Sequence, residues 1–329
     1  MKHLTILAPI GKGNNLSSIV GAYKIFSRAN AIVQSDGLPP VFDICVAGAS
    51  GKQDYFDGLF SIQPHTHFST VEKTDLVIIP AVNYNNPEVF EQNKTMVEWI
   101  AQQYSYGAEV ASICTGAFLL AATGILNGRK CSTHWAAQAA FRSMYPEVDL
   151  QADFLITDEN GICTNGGAYS FLNLLFHLIE KYYSRPVALL CAKIFQIDIS
   201  RQCQAEFMIF SNQKLHNDDL VKEAQVYIES HVEEKIVVES LCKKFAIARR
   251  NFDRRFVRAT GNSPLEYIQR TKIEAAKRSL EQSRKTINEI MYDCGYTDIK
   301  AFREVFKKNT GLTPTEYKEK YSKDAVALS

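Results

Sequence analysis

The C-terminal third of the chain contains an internal repeat that constrains the fold more than any other feature. Residues 252–267 and 302–317 align without gaps at an offset of 50, and Phe, Phe, Thr, Gly, Pro, Glu and Tyr recur unchanged. Each copy follows a short amphipathic segment and a tight turn, which is the layout of a helix-turn-helix. Two such units on one chain can lie in successive major-groove turns on one face of DNA, about 34–36 Å apart. The repeat therefore predicts an all-α domain that binds double-stranded DNA.

The charge of the chain is distributed unevenly. Residues 219–329 contain 22 Lys and Arg against 17 Asp and Glu, a net +5, whereas residues 1–218 contain 15 against 19, a net −4. A basic C-terminal third favours a polyanionic partner, and the acidic remainder does not. The length of 329 residues predicts roughly two domains, each large enough for its own core.

Several features argue against a membrane, metal or cofactor partner. No apolar run approaches the roughly 18 residues that a membrane-spanning helix needs. The eight cysteines are scattered without a C-x-x-C pair, which argues against zinc and is typical of reduced thiols in a cytoplasmic protein. His65 and His67 are close in sequence but lack a third ligand, so we expect them at the solvated surface. The sequence thus predicts no membrane contact, no metal and no cofactor.

Residues 1–195 alternate short apolar runs with longer helical patterns. The predicted strands are 4–8, 42–47, 76–80, 110–114 and 162–164. The predicted helices are 17–29, 88–104, 116–126 and 169–183. This alternation indicates an α/β domain with a mostly parallel sheet and helices on both faces.

One turn in this domain has the form of a strand-to-helix elbow. An apolar strand ends at Cys114, and a helix rich in small residues begins at once with Thr115 and Gly116. Such an elbow can expose the sulfur above the sheet, where the helix N-terminus binds anions and lowers the pKa of the thiol. The alternative is a buried structural cysteine beneath the helix. The spacing favours the exposed elbow.

The stretch 111–129, followed by Ser132-Thr133-His134-Trp135, resembles the class I glutamine-amidotransferase-like domain in its PfpI-type version. Together with the repeat, the chain resembles the GlxA-like transcriptional regulators of the AraC/XylS family, in which this domain precedes an AraC-type DNA-binding domain. The resemblance covers nearly the whole chain. It implies a flavodoxin-like parallel sheet in the N-terminal domain and two helix-turn-helix units in the C-terminal domain.

The positions that would support catalysis by Cys114 depart from the PfpI-type pattern. A nucleophilic cysteine needs a base within hydrogen-bond reach. Where hydrolases of this type often have His after the nucleophile, this chain has Thr115. The positions at which the wider family implies an acidic partner are Ser18, Lys24 and Asn173. We therefore expect no enzyme activity from this domain.

An amidotransferase-like domain without its catalytic partners still offers a concave pocket lined by helix-terminal amides. We expect it to bind a small metabolite with a carboxylate, amide or carbonyl group at the amides of the elbow. Asn-Gly-Gly at 165–167 can equally be only a tight turn. The predicted pocket residues are Ser18, Cys114, Thr115, His134, Asn165 and Gly166.

The sequence divides the rest of the chain into three segments. Residues 196–218 lose the strand-helix alternation and are predicted to be a linker, 219–322 the DNA-binding domain, and 323–329 a tail. Within the domain we predict helices over 221–232, 238–245, 248–256, 264–281, 287–293 and 298–308. The helices 248–256 and 298–308 are the predicted recognition helices, the second capped by Thr297 or Asp298.

The recognition helices supply the predicted DNA contacts. Arg can form two hydrogen bonds to guanine and Asn to adenine, whereas other basic side chains contact phosphate. Five Arg between 249 and 258 against one Asp favour DNA contact over a solvated basic face. The predicted contact residues are Arg249, Arg250, Asn251, Arg254, Arg255, Thr297, Lys300, Arg303 and Lys307.

The two helix-turn-helix units each depart from the AraC-type pattern, and we expect the first unit to supply more of the binding energy. Glu304 follows Arg303 where related proteins often carry Arg, so the second unit has fewer phosphate donors. Against this, Ala248 stands where the family usually has a capping Ser or Thr.

These observations predict a cytoplasmic transcription regulator that binds promoter or operator DNA and responds to a small-molecule effector. A homodimer on two half-sites is expected, because pairing raises specificity, and contact with RNA polymerase is a further candidate interaction. The alternatives are a Cys114-dependent amidase or hydrolase and a redox sensor in which Cys114 is oxidised, each with an attached DNA-binding domain.

Overall fold

The computed structural model describes residues 1–49, 51–199, 203–210, 213–214 and 216–322. The chain divides into two compact units, an N-terminal domain, Met1–Gln204, and a helical domain, Ala205–Ser329. The predicted linker is therefore shared between the two units, and the predicted tail lies outside the described residues. None of the helices described is long and apolar enough to span a bilayer.

The N-terminal domain is built on a seven-stranded sheet in the order β10-β11-β7-β6-β1-β2-β5. All neighbouring strands are parallel except β10, which pairs antiparallel with β11 at one edge. A β3–β4 hairpin and a short β8–β9 pair lie outside this sheet. The strands are β1 (Lys2–Ala8), β2 (Phe42–Gly48), β3 (Gln53–Tyr55), β4 (Phe60–Ile62), β5 (Thr66–His67), β6 (Leu76–Ile79), β7 (Glu109–Ser112), β8 (Lys130–Cys131), β9 (Asp149–Leu150), β10 (Ile156–Glu159) and β11 (Ile162–Asn165).

Helices cover both faces of the large sheet, because its central strands are apolar on both sides. Leu4 and Ile6 of β1 pack in a core with helices α1, α6 and α7, whereas Leu7 faces the opposite core with α3, α4 and α5. The helices are α1 (Leu16–Ser35), α2 (Glu88–Gln92), α3 (Lys94–Ser105), α4 (Ala117–Ala122), α5 (Gln138–Met144), α6 (Phe171–Tyr182) and α7 (Arg185–Phe195). The predicted α/β class with a flavodoxin-like parallel sheet is confirmed.

The helix predicted over 88–104 is interrupted at Asn93, which separates α2 from α3. The Asn93 amide donates to Ile10 O at 2.6 Å and Val89 O at 2.7 Å and accepts from Ile10 N at 2.9 Å. An Asn side chain that bonds to backbone in this way competes with the helical ladder. Helix α7 and the β3–β4 hairpin were not predicted.

The helical domain contains seven α-helices in its described residues. They are α8 (Asp219–Ser230), α9 (Val238–Lys244), α10 (Arg249–Thr260), α11 (Pro264–Gln282), α12 (Ile287–Asp293), α13 (Ile299–Thr310) and α14 (Pro314–Tyr321). Helix α11 joins two cores: Tyr267 and Ile268 pack with α8–α10, and Ile273 and Leu280 pack with α12–α14. Each core with its helix pair, α9–α10 or α12–α13, is one helix-turn-helix unit.

The repeated residues have the same contacts in both units. In the first copy, Thr260 donates to Phe256 O at 2.8 Å, and Gly261 takes a left-handed φ of 71° that ends α10. Ser263 and Glu266 form a reciprocal capping box at the start of α11. The second copy repeats this arrangement fifty residues later. The repeat thus specifies where the recognition helix ends and the next helix begins.

A buried lysine links the two halves of the helical domain. Lys272 of α11 is 5% exposed, and its ammonium donates to Val232 O, Glu234 O and Cys294 O at 2.8, 2.6 and 2.7 Å. Burial lowers its pKa, but all three N–H groups have an acceptor. At Gly295 a Cβ would lie 2.5 Å from this ammonium, so only glycine fits beside it.

Candidate DNA interface and elbow site

The first recognition helix, α10, presents a basic face to solvent. Phe252 and Phe256 are buried one turn apart and hold the helix on the core, which leaves Arg250, Arg254 and Arg258 exposed. Asn251 is half-buried, and its Oδ1 accepts from Arg254 Nη2 at 3.0 Å. The exposed guanidinium groups are available for phosphate or base edges.

Two of the arginines predicted to contact DNA are held in ion pairs. Arg249 bonds to Asp253 at 2.9–3.0 Å and to Glu239, and the bond to Asp253 raises the pKa of the guanidinium. Arg255 forms a bidentate pair with Asp218 at 2.6 and 2.8 Å, which raises its pKa and lowers that of Asp218. Either arginine must break these bonds before it can contact DNA in full.

The second recognition helix, α13, differs in this respect. Lys300, Arg303 and Lys307 are exposed, and no salt bridge to them occurs within the described residues. Asp298 caps the helix, with its Oδ1 accepting from Lys300 N at 2.7 Å and from the next amide at 3.3 Å. Of the two predicted caps the structure uses Asp298, and Thr297 is exposed just before it.

The segment preceding α8 packs along the helical domain. Its described residues between 205 and 218 are called the strap below. Phe210 N donates to Glu274 Oε2 at 3.1 Å, and Met208 O accepts from Lys277. Glu274 and Lys277 are a buried ion pair on α11, 3.0 Å apart. The predicted linker therefore includes residues that are part of the helical domain.

The two ends of the strap contact different helix-turn-helix units. Near its start, the Phe207 ring lies 5.8 Å from the Lys320 ammonium of α14 in the second unit. At its end, Asp218 caps α8 and holds Arg255 of the first recognition helix. A displacement of the strap therefore perturbs contacts with both units.

In the N-terminal domain, the strand-to-helix elbow adopts the backbone geometry expected of it. Cys114 has a φ of +54°, unusual for a residue with a side chain. At Gly116 a Cβ would lie 2.6 Å from Pro80 O and 2.7 Å from Ile79 O. The turn can be this tight because the second residue after the cysteine is glycine.

The sulfur of Cys114 is not exposed, contrary to the favoured prediction. The residue is 6% exposed, and burial raises its pKa to about 11, outweighing the hydrogen bonds from Thr115 that lower it. Desolvation disfavours the thiolate, and the helix α4 that follows has only six residues. At neutral pH the group is a neutral thiol.

The backbone of the elbow is occupied by protein groups. Asn165 Oδ1 accepts from Cys114 N at 3.0 Å, and Thr133 Oγ1 donates to Cys114 O at 3.0 Å. Gly166 packs so tightly on Gln204 that a Cβ would lie 1.9 Å from the Gln204 amide nitrogen. Asn165 and Gly166 therefore support the elbow, and the amide of Cys114 is not open to a ligand anion.

The hydrogen bond and ring contact of His134 are both with neighbouring residues. Its Nδ1 accepts from Ala136 N at 3.1 Å, and its ring lies against Trp135 with centroids 5.3 Å apart. Burial lowers the pKa of the imidazole, so it is neutral near pH 7. No hydrogen bond between His134 and Cys114 occurs in the part of the chain that the structure describes.

Residues at the positions where the family pattern implies a catalytic partner make other contacts. Ser18 Oγ donates to Asn15 O at 2.7 Å, and Asn173 donates to Asp198 O at 2.9 Å. Thr115 Oγ1 donates to Val82 O at 2.7 Å. None of these contacts supplies a base to the thiol.

A cavity of about 220 Å³ lies beside the elbow. Three predicted pocket residues line it, Ser18, Cys114 and Thr115, whereas His134, Asn165 and Gly166 do not. None of the residues that line it is charged. The remaining lining residues, which the sequence did not indicate, are Gly13, Asn15, Ala81, Val82, Asn83, Tyr84, Ile113, Ala168 and Phe171.

The chain combines an α/β domain that has an elbow cavity with two helix-turn-helix units. This domain organisation identifies it as a DNA-binding transcription regulator. The chain belongs to the DJ-1/PfpI family, whose model matches residues 9–181. A helix-turn-helix domain model matches residues 241–320, the region of the two AraC-type units. The resemblance to GlxA-like regulators of the AraC/XylS family is confirmed.

Known regulators share this arrangement over most of their length. The HTH-type transcriptional regulator GbdR of Pseudomonas aeruginosa is 24% identical over 82% of this chain and 72% of its own. GlxA of Rhizobium meliloti is 25% identical over 63% of this chain and 64% of its own. A structure described as a transcriptional regulator from Vibrio parahaemolyticus matches 59% of this chain and 98% of its own, with a TM-score of 0.53 and 21% identity. That structure supports the fold of the N-terminal domain.

Proposed function

We propose that this regulator binds promoter DNA with both recognition helices and responds to a small metabolite in the elbow cavity. The observation that carries the DNA contact is the pair of exposed basic faces on α10 and α13, presented by the same repeated scaffold. The proposed contacts are those predicted from the sequence, with Arg249 and Arg255 contributing only after their ion pairs open.

The elbow domain is proposed to be non-catalytic. Its thiol is buried, the pKa of the thiol is raised, and its polar partner is Thr115 instead of an imidazole or carboxylate. A thiolate nucleophile needs the opposite environment, a nearby cation or base that stabilises its charge. A buried thiol is also a poor target for oxidation, which weakens the redox-sensor alternative.

The cavity suggests the kind of metabolite. Its volume of about 220 Å³ suits a molecule of on the order of ten non-hydrogen atoms, since cavities of ~150 Å³ hold benzene. The side chains of Asn15, Asn83 and Tyr84 can donate or accept hydrogen bonds there, and Phe171 adds an aromatic surface. We propose a ligand held by hydrogen bonds and aromatic contact, without an ion pair to a charged side chain.

A hydrogen-bonded chain runs from the elbow to the start of the strap. Thr133 donates to Cys114 O, Gln204 donates to Thr133 O at 3.0 Å, and Ala205, the next residue, begins the strap. A ligand that shifts the elbow would act on this chain of hydrogen bonds, which ends at Gln204, the residue before the strap. Such a change acts on DNA binding if the ligand favours one of the two arrangements.

Further features of the proposal follow the sequence analysis. A homodimer would place four recognition helices on two half-sites and raise the effective concentration of each. RNA polymerase is a proposed partner at the promoter, and the cytoplasm is the proposed compartment. The eight free thiols accord with a reducing environment.

The test is capture of genomic DNA by the purified full chain, the Arg250→Ala/Lys300→Ala variant and the Cys114→Ala variant. Discrete sites that are lost in the first variant and kept in the second would support a regulator whose cysteine is dispensable. Amide hydrolysis abolished by Cys114→Ala would overturn the non-catalytic assignment. Peroxide-dependent DNA affinity abolished by Cys114→Ser would instead make the domain a redox sensor.

A further inference from the structure

Three side chains capable of binding metal meet beside the antiparallel edge of the large sheet. Asp158 of β10 and Cys163 of β11 are directly opposite in the strand register, so their side chains lie on the same face. Helix α6 covers this face and brings His177 to the pair. The cluster uses a different part of the domain from the elbow cavity.

The three ligand atoms are close enough to share one ion. One oxygen of Asp158, the sulfur of Cys163 and one ring nitrogen of His177 all lie within 4.8 Å of one another. His177 Nε2 is 2.8 Å from Asp158 Oδ2. The Cys163 residue is 1% exposed, whereas the side chains of His177 and Asp158 are 40% and 28% exposed, which leaves a route from solvent.

We propose that Asp158, Cys163 and His177 form a site for a divalent transition metal of the zinc type, with water as the fourth ligand. Sulfur, imidazole nitrogen and carboxylate oxygen together form a donor set that zinc prefers, and three protein ligands leave one position open. The ion would join α6 to β10 and β11. The site departs from the expectation of no metal, because its residues meet only through strand register and helix packing.

Charged residues around the site determine which ion pairs change when the metal binds. Lys181, one turn after His177, lies 3.4 Å from both Asp158 oxygens and 2.7 Å from Glu109 Oε2. In the absence of a metal, the Lys181 ammonium is the counter-ion of Asp158. A bound dication takes over this role, and Lys181 retains its ion pair with Glu109. The metal–sulfur bond forms as the Cys163 S–H bond breaks, and the proton passes to solvent.

Cobalt(II) is the probe, because a thiolate ligand gives it an intense near-ultraviolet charge-transfer band. The full chain, freed of metal by a chelator, is expected to bind one equivalent of Co²⁺ with this band, and Zn²⁺ is expected to displace it. The band is lost in Cys163→Ser and kept in the matched control Cys191→Ser, a buried cysteine of α7 in the same core.

His177→Ala tests the site with a variant that should fold normally, because His177 is partly exposed and its loss should leave the core intact. Its Co²⁺ affinity is expected to fall by more than about a hundredfold, since even partners that only orient a ligand cost 10–100-fold. Lys181→Gln removes the competing ammonium and is expected to tighten binding. An absent band, or one that survives Cys163→Ser, overturns the site whatever the DNA-binding result.

Discussion

The two helix-turn-helix units share a repeat but hold their recognition helices differently. In the first unit the turn places Ala246 at a left-handed φ of 48°, and Ala248 offers no side-chain cap to α10. In the second unit the corresponding turn residue is Gly295, and Asp298 caps α13. The first unit instead uses ion pairs of its own arginines to fix the helix.

The difference shows two ways to position a helix on a similar core. Backbone capping leaves the basic side chains of α13 unengaged, whereas α10 uses some of the charges that would meet DNA to hold itself in place. We infer that the first unit contains the better base-reading side chains but must rearrange to use all of them. Four experiments test this contrast.

The largest effect is expected from Lys272→Met, which removes the link that both units share. Three buried carbonyls lose their donor, so the free energy of unfolding should fall by on the order of 3 kcal/mol. The change is measured by urea denaturation of the full chain, monitored with a spectroscopic probe in the helical domain. Lys222→Met, on the exposed side of α8, is the control, and equal stability of the two variants would contradict the role of Lys272.

Gly295→Ala should destabilise the second unit by about 2 kcal/mol. A Cβ there would lie 2.6 Å from Glu234 O as well as close to Lys272, and the left-handed φ adds ~1 kcal/mol for an alanine. Gly37→Ala is a control, because Gly37 also has a positive φ but no atom within 4 Å of the added Cβ. A loss no greater than in this control would mean that the backbone angle, and not the close packing, requires glycine.

Arg250→Ala should weaken operator binding by about 2 kcal/mol and relax sequence preference, because an exposed Arg at the start of α10 can bond to guanine. Lys300→Ala should weaken binding less and uniformly across sequences, and reduce the salt dependence by roughly one phosphate contact. Fluorescence anisotropy at several salt concentrations distinguishes the two. Equal losses in both variants would show that the units contribute alike.

The smallest effect is expected from Ala246→Gly, which should stabilise the first unit by up to about 1 kcal/mol. Glycine adopts the left-handed turn without the steric cost that alanine meets, and the gain is reduced by the greater freedom of its unfolded chain. Thermal unfolding measured beside Ala301→Gly, in the first turn of α13, should show shifts of opposite sign. If Ala246→Gly is instead destabilised, the left-handed angle of Ala246 is not a source of strain, and the two units do not differ in this respect.

The features predicted best from the sequence are those determined by residues close to one another in the chain. The bounds of α12 were predicted to the residue, because a capping box at Thr286 and an amphipathic run define it. The buried Phe pairs are spaced i, i+4, which places both rings of a pair on one face of the helix. Both features depend only on residues within two turns of one another.

Contacts between segments that are far apart in the sequence were predicted least well. The backbone of Cys114 bonds to Asn165 and Thr133, and the cavity is lined by residues as far apart in the chain as Asn83 and Phe171. The ion pair of Arg255 with Asp218 joins residues 37 apart. No spacing rule predicts such contacts, and for this reason three of the six predicted pocket residues lie outside the cavity.

The strap also determines where the chain can be divided for study. A fragment cut at Asp219, the first residue of α8, would lose both the cap of that helix and the carboxylate that holds Arg255. It would also leave Glu274 without its bond from Phe210 and uncover a buried ion pair. A fragment that starts at Ala205 keeps these contacts. DNA affinities measured on the shorter piece would therefore describe a differently arranged first recognition helix from the one in the intact protein.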